Sequence, residues 1–202
     1  MITVVSGIPR SGTSLMMQML SAGGLPLLTD GVRAADLNNP RGYCEWAPVK
    51  SLSRTPEVIQ AAEGKVVKVI SSLLPSLSNQ HDYKVIFMRR PLEEVIASQE
   101  RMLDRLGKQA APDAKKSLLP AFQRHLDHIH QWLANQPNIT VLYVEYNSVL
   151  EAPQEIACTA ANFLGRLLDV EAMSRQVEQS LYRERFRERP AKLQPENRVS
   201  TF

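Results

Sequence analysis

Short runs of apolar and β-branched residues recur along the chain, separated by longer segments whose apolar positions follow helical spacing. Runs of five or six such residues are typical of strands buried on both faces. Four runs predict strands, at residues 2–6, 65–70, 83–88 and 139–144. Residues 25–46 are rich in Gly, Pro, Asn and Asp, which predicts that they are mostly loop.

Helical periodicity follows the strand runs. The first helix should carry Leu15 to Leu20 and end at Gly23-Gly24. Three more are expected from Pro91 to about Leu106, around 117–135 with an offset at Pro120, and near 153–165. Strands that alternate with helices predict an α/β fold, a three-layer α/β/α sandwich around a mostly parallel sheet of about four or five strands.

Length and composition favour one domain over residues 1–202. The chain is 44% hydrophobic and 22% charged, as in ordinary globular proteins. No apolar run reaches the roughly 18 residues of a membrane span, and the N-terminus lacks the basic start of a signal peptide. We therefore expect a cytoplasmic protein without a membrane span. The two cysteines, Cys44 and Cys158, have no zinc spacing and are expected to be free thiols.

The positive charge is concentrated at the C-terminal end. The net charge is +3, and residues 175–198 carry seven basic and four acidic residues, which accounts for the whole excess. A basic C-terminal segment (175–202) on a neutral body suits a small anionic ligand better than nucleic acid, so we expect no nucleic-acid partner.

The first strand leads into a glycine-containing loop, residues 7–14, which reads GIPRSGTS. A G-x-x-x-x-G turn between a strand and a helix points backbone N–H groups and the positive end of the helix dipole at one place, which favours a phosphate there. Thr13 and Ser14 add hydroxyl donors. The sequence therefore predicts a phosphate-binding loop.

This loop departs from that of nucleoside triphosphatases, which reads G-x-x-x-x-G-K-[ST]. Thr13 occupies the lysine position, and the cation is Arg10, inside the loop. The predicted strands also end without an acidic residue for Mg²⁺. Both features argue against ordinary ATP or GTP hydrolysis, and we expect no metal.

The segment GIPRSGTSL closely resembles the 5′-phosphosulfate loop of sulfotransferases, and that of tyrosylprotein sulfotransferases in particular. The resemblance implies a P-loop-like sandwich and a metal-independent enzyme that uses 3′-phosphoadenosine-5′-phosphosulfate (PAPS) as the sulfuryl donor. It also implies contacts to the 5′-phosphate and the sulfonate from Pro9, Arg10, Ser11, Gly12, Thr13 and Ser14.

A second phosphate site is implied by the stretch RRPLEEVIAS, residues 89–98. The family binds the 3′-phosphate with an Arg that closes a strand and a Ser on the next helix, and Arg90 and Ser98 match these two positions. A guanidinium suits this role because it can donate two hydrogen bonds to one phosphate. Arg89 lies one residue away from the matched position. By a weaker resemblance, Tyr146 matches a tyrosine that often touches the nucleotide.

Catalysis of sulfuryl transfer needs cations for the developing negative charge and a base for the acceptor. Arg10 and Lys68 are the candidate cations, and Lys68 matches a lysine that the family places before the strand of the 3′-phosphate site. Some relatives carry a histidine shortly after this lysine, but that position is Ile70. None of the four histidines follows a motif strand, and three lie on a helix where we expect a solvated face.

The segment NPRGYCE, residues 39–45, resembles one in small bacterial sulfotransferases and makes Glu45 the candidate base. Asp36 and His81 are the next candidates.

The sequence thus predicts a PAPS-dependent sulfotransferase that acts on a hydroxyl or amine acceptor. Two alternatives stay open, a nucleotide kinase or NTPase that lost the usual lysine and a non-catalytic nucleotide-binding protein. The acceptor, whether a small molecule, a carbohydrate or a peptide, depends on loops such as 25–60 and 104–120. The sequence leaves the acceptor and the oligomeric state open.

Overall fold

A parallel four-stranded sheet forms the centre of the structure, which is a computed structural model. The described residues are 1–32, 35–36, 39, 42–108 and 114–178, without the side chains of 114–116. The strands are β1 (Ile2–Ser6), β2 (Val66–Lys68), β3 (Tyr83–Arg89) and β4 (Ile139–Glu145). Their order in the sheet is β2-β1-β3-β4, and every neighbouring pair is parallel. The predicted α/β class and parallel sheet are confirmed.

Helices flank the sheet. The α-helices are α1 (Thr13–Ala22), α2 (Leu92–Arg105), α3 (Ala114–Ala134), α4 (Tyr146–Glu151), α5 (Pro153–Leu164) and α6 (Val170–Ser174). Short 3₁₀ helices span Ala47–Ser51, Pro56–Ala62 and Ser71–Ser76. In the part of the chain that is described, no helix is long and apolar enough to cross a membrane.

The sheet separates two hydrophobic cores because successive strand residues point to opposite faces. Val5 and Ile86 pack with α1 and α5, in a core that includes Met16 and Ala160. Their neighbours along the strands, Val4 and Phe87, belong to the other core with Ile129 and Leu133 of α3. This alternation produces the three layers.

The element boundaries differ from the predicted ones by a few residues. Strand β2 ends at Lys68 rather than at residue 70, while β3 and β4 each extend one residue further, to Arg89 and Glu145. Pro91 precedes α2 instead of beginning it, and α3 continues through Pro120. The 3₁₀ helices, α4 and α6 are too short to give a clear periodic signal. Most of the basic C-terminal segment, residues 179–202, lies outside the described residues.

Candidate active site

A cavity of about 710 Å³ opens at the carboxyl ends of β1, β2 and β3. Open parallel sheets bind their ligands at this edge. The cavity is lined by the β1–α1 loop, by residues that follow β2 and β3, and by parts of α2 and α3. These segments bring together most of the site residues that the sequence predicted.

The β1–α1 loop has the backbone of an anion cradle. Gly7, Arg10 and Gly12 adopt positive φ angles of 145°, 74° and 101°. Helix α1 begins directly after Gly12, and no side chain caps its N-terminus. Because Gly12, Thr13 and Ser14 line the cavity, the N–H groups of the first turn and the positive end of the helix dipole face it. This arrangement favours a bound anion.

Gly12 also packs against Tyr146, so its lack of a side chain has a steric reason. A Cβ at Gly12 would lie 2.4 Å from Cδ2 of the tyrosine ring. The tyrosine is buried and lines the same cavity. The loop therefore tolerates only glycine here, on grounds of both backbone and space.

Gly12→Ala should lower the free energy of unfolding more than Gly24→Ala does. Gly24 has a nearly equal φ of 98°, but nothing lies within 4 Å of its Cβ position. We expect backbone strain of about 1–2 kcal/mol in both variants, and a further ~1–3 kcal/mol of overpacking in Gly12→Ala. Chemical denaturation measures both values. Equal destabilisation would contradict the close contact between Gly12 and Tyr146.

Ser11 is the one predicted residue of this loop that does not line the cavity. Its side chain is fully buried, and its backbone N–H donates to the carbonyl of Ile8 at 3.2 Å. Its hydroxyl has no hydrogen-bond partner among the described residues. It lies so close to Gly7 that a Cβ atom added to this glycine would be 2.4 Å from the hydroxyl oxygen. A side-chain contact from Ser11 to a ligand is therefore not supported, in contrast to Thr13 and Ser14.

The two predicted phosphate sites are connected by hydrogen bonds. Arg10 Nε donates to Ser98 Oγ at 3.0 Å, and Arg90 Nη1 donates to the carbonyl oxygen of Arg10 at 3.2 Å. Arg10 thus joins the strand-to-helix turn after β3 to the loop after β1. The family resemblance paired Ser98 with Arg90, but it did not predict the contact between Ser98 and Arg10.

Arg90 is held in place from several sides. Its Nε donates to Oε2 of Glu94 at 2.9 Å, and the two side chains are only 7% and 2% exposed. Its guanidinium carbon lies 4.5 Å from the centre of the Tyr146 ring. Burial raises the pKa of the Tyr146 hydroxyl, although the charge of Arg90 opposes the change. The guanidinium is therefore preorganised at the cavity wall.

Arg89 points elsewhere. Its Nε donates to Oε1 of Glu145 at 2.8 Å, its guanidinium lies over the ring of Tyr143, and it does not line the cavity. Glu145 also corrects the expectation that no strand ends in an acidic residue. This carboxylate is engaged by Arg89 and lies outside the cavity.

Lys68 ends β2 inside the cavity and is only 8% exposed. Its ammonium group donates to Ser14 Oγ at 3.2 Å and to the backbone carbonyl of Tyr43. Glu45 Oε1 lies 3.8 Å from the same nitrogen. A buried lysine needs such partners, and they place a cation beside the β1–α1 loop and next to the candidate base.

The segment before Glu45 positions these groups through the backbone carbonyl of Tyr43, a contact that the sequence motif did not predict. Cys44 has a φ of 50°, and this turn directs the Tyr43 carbonyl toward Lys68 and Ser14, whose hydroxyl donates to it at 3.3 Å. The Tyr43 hydroxyl donates to both carboxylate oxygens of Asp36, at 2.9 and 2.8 Å. Burial raises the pKa of the Cys44 thiol, and the positive charge of Lys68 partly offsets this increase. Pro40 and Arg41 lie outside the described residues.

The histidines are distributed differently from the expectation. His81 lies two residues before β3, at the amino edge of the sheet and opposite the cavity, which removes it as a candidate base. His125 and His130 are half-buried rather than solvated, and burial lowers the pKa of both. His125 Nε2 hydrogen bonds with Ser71 Oγ at 2.8 Å. Ile70 lines the cavity where some relatives would carry a histidine.

The sequence matches the sulfotransferase domain family over residues 2–198. The match covers nearly the whole chain and shows that it belongs to the sulfotransferase domain family, a family of transferases. Comparison with curated proteins gave no significant match.

Two solved structures are similar to this chain at low sequence identity. A sulfotransferase domain from the curacin biosynthetic pathway is 16% identical with a TM-score of 0.48, and the alignment covers 82% of this chain and 74% of that one. A sugar kinase from a Janibacter species is 13% identical with a TM-score of 0.42, over 84% of this chain and 96% of that one. Family membership supports sulfotransfer as the general activity.

Proposed function

We propose that this protein transfers the sulfuryl group of PAPS to a hydroxyl acceptor. The observation that carries the proposal is the convergence of three cations, Arg10, Lys68 and Arg90, with the uncapped N-terminus of α1 in one cavity. PAPS carries anionic groups at its 5′ and 3′ ends, so a site for it needs positive charge at two places. The loop of Arg10 provides one such place, and the turn of Arg90 the other.

The residues present fit both ends of this nucleotide. Thr13 and Ser14 are the hydroxyl donors beside the start of α1, where the 5′-phosphate and the sulfonate would bind. Arg90 and Ser98 would bind the 3′-phosphate. Two hydrogen bonds, from Arg10 to Ser98 and from Arg90 to the Arg10 carbonyl, connect the two regions of the protein that would bind these phosphates. A site formed before binding loses less conformational entropy when the ligand binds.

The same groups account for the chemistry. When bound, PAPS supplies a sulfur atom that an acceptor oxygen can attack. The bond from sulfur to the acceptor oxygen forms as its bond to the 5′-phosphate oxygen breaks, and Glu45 accepts the proton of the acceptor hydroxyl. Lys68 and Arg10 stabilise the negative charge that develops on the sulfonate and on the leaving oxygen. Ser14, held by Lys68, would orient the sulfonate.

The first test is ligand choice. We expect 3′,5′-bisphosphoadenosine (PAP) to raise the melting temperature without Mg²⁺, and adenosine 5′-phosphate to raise it much less, because only PAP has a 3′-phosphate. Thermal unfolding with each nucleotide measures the effect. Equal shifts from the two nucleotides would overturn the second phosphate site, and a larger shift with ATP and Mg²⁺ would favour a kinase-type protein.

A further inference from the structure

Tyr43 contacts two of the groups that would bind the sulfonate of PAPS. The residue lines the cavity and is only 6% exposed. Its backbone carbonyl accepts hydrogen bonds from the ammonium group of Lys68 and from the hydroxyl of Ser14, the latter at 3.3 Å. The nitrogen of Lys68 also lies 6.0 Å from the centre of the Tyr43 ring. The position of Tyr43 therefore determines where both groups lie.

The far end of the Tyr43 side chain is held by Asp36. The hydroxyl of Tyr43 donates to this carboxylate, at 2.9 and 2.8 Å from its two oxygens. A hydrogen bond to an ionised acceptor is stronger than one between neutral groups. Asp36 is itself part of a turn, because the N–H of Asn39 donates to its Oδ1 at 2.8 Å and to its backbone carbonyl at 3.1 Å. Tyr43 is thus held at its hydroxyl and at its carbonyl.

The backbone directly after Tyr43 depends on such contacts. Cys44 has a φ of 50°, in the left-handed region that is unfavourable for a residue with a Cβ. A conformation of this kind persists only where the surrounding structure determines it. The hydrogen bond between Tyr43 and Asp36 is one of the contacts that do so, and it keeps the Tyr43 carbonyl directed at Lys68 and Ser14.

We propose that Tyr43, anchored by Asp36, is a positioning residue for the sulfonate end of PAPS. It acts through Lys68 and Ser14, whose donor groups it holds beside the start of α1. The proposal rests on the proposed function, since it deepens the description of the donor site. PAP lacks the sulfonate, so the ratio of PAPS affinity to PAP affinity reports this role separately. A purely structural role would weaken the binding of both nucleotides by the same factor.

Tyr43→Phe tests the proposal, because it removes the hydroxyl and keeps the ring and the backbone carbonyl. We expect the ratio of PAPS affinity to PAP affinity, measured by calorimetry without an acceptor, to fall about tenfold. This factor is at the lower end of what a hydrogen bond to a charged group contributes. The affinity for PAP itself should stay nearly unchanged.

Tyr83→Phe is the matched control for this substitution. The hydroxyl of Tyr83 donates to the Ser78 carbonyl at 2.9 Å, and Tyr83 is also buried but does not line the cavity. Its variant should keep the ratio of the unmodified protein. An unchanged ratio in Tyr43→Phe, or an equal fall in both variants, would overturn the proposal. Failure of PAP to bind the unmodified protein would instead overturn the nucleotide site.

Two further variants test the path through Asp36 and Lys68. Asp36→Asn should keep most of the ratio, because an amide oxygen still accepts the Tyr43 hydroxyl, whereas Asp36→Ala should match Tyr43→Phe. In a Lys68→Ala background, Tyr43→Phe should lower the ratio by only about threefold or less, since residues that act through one another have non-additive effects. A full tenfold fall in that background would show that Tyr43 acts independently of Lys68, and an unchanged ratio in Asp36→Ala would exclude Asp36 as the anchor.

Discussion

Glu45→Gln should lower the turnover of sulfuryl transfer from PAPS to an acceptor hydroxyl by about 10²–10⁴-fold, the usual contribution of a positioned base. Glutamine keeps the size of the side chain but cannot accept the proton of the acceptor. Lys68 should stay in place, because it keeps its hydrogen bonds to Ser14 and to the Tyr43 carbonyl. Removing a negative charge near the anionic donor should leave PAP affinity equal or slightly higher. Steady-state kinetics and calorimetry measure the two quantities.

Glu57→Gln is the control for this substitution. Glu57 is an exposed carboxylate on the 3₁₀ helix Pro56–Ala62 and does not line the cavity. Its variant should keep normal turnover. Near-normal turnover of Glu45→Gln would show that another group is the base. Asp36 would then be tested next, because its carboxylate is joined to Tyr43, two residues from Glu45.

The loop between β1 and α1 was predictable because it is a local feature. Its glycine spacing, the preceding strand and the following helix all lie within about 20 consecutive residues, and short-range chemistry determines them. The parallel sheet followed from the alternation of strands and helices for the same reason. The pairing of Arg90 with Ser98 needed the family resemblance, since eight residues of spacing alone do not bring two side chains together.

The rest of the site depends on contacts between distant segments. The Tyr43 carbonyl that accepts a hydrogen bond from Lys68 is a backbone group, and every residue type has one, so the sequence carries no signal for it. The φ of 50° at Cys44 cannot be predicted from the composition of the loop either. The cavity also brings Val49 of the 3₁₀ helix Ala47–Ser51 together with Leu118 and Phe122 of α3, which are far apart in the sequence. The face of Leu118 and Phe122 looks like an ordinary core stripe, and only tertiary packing shows that part of it borders a cavity.

Arg90 contributes to the packing of the protein as well as to the candidate ligand site. As a residue at the end of a strand, it would be expected to support little packing. In the structure it forms a buried ion pair with Glu94 and packs on Tyr146. Removing Arg90 alone would leave the Glu94 carboxylate buried without this partner. Such a change typically costs about 3–5 kcal/mol of stability, so binding and folding must be measured separately.

Arg90→Ala should weaken PAP binding by about 2–3 kcal/mol, or roughly 30–150-fold, through loss of a bidentate contact to the 3′-phosphate. The affinity for adenosine 5′-phosphate should change much less, because this nucleotide has no 3′-phosphate. The ratio of the two affinities therefore reports the contact itself, even if the variant is less stable. Calorimetry well below the melting temperature measures both affinities.

A double variant, Arg90→Met with Glu94→Met, separates the two effects of Arg90. Replacing both members of a buried ion pair with apolar side chains of similar volume is often close to neutral for stability. We expect the double variant to regain most of the stability that Arg90→Ala loses. We also expect it to lack the preference for PAP, so that its affinity for PAP is close to its affinity for adenosine 5′-phosphate. If it kept the preference of the unmodified protein for PAP, Arg90 would not bind the 3′-phosphate, and its role would be confined to holding Glu94 and the Arg10 carbonyl.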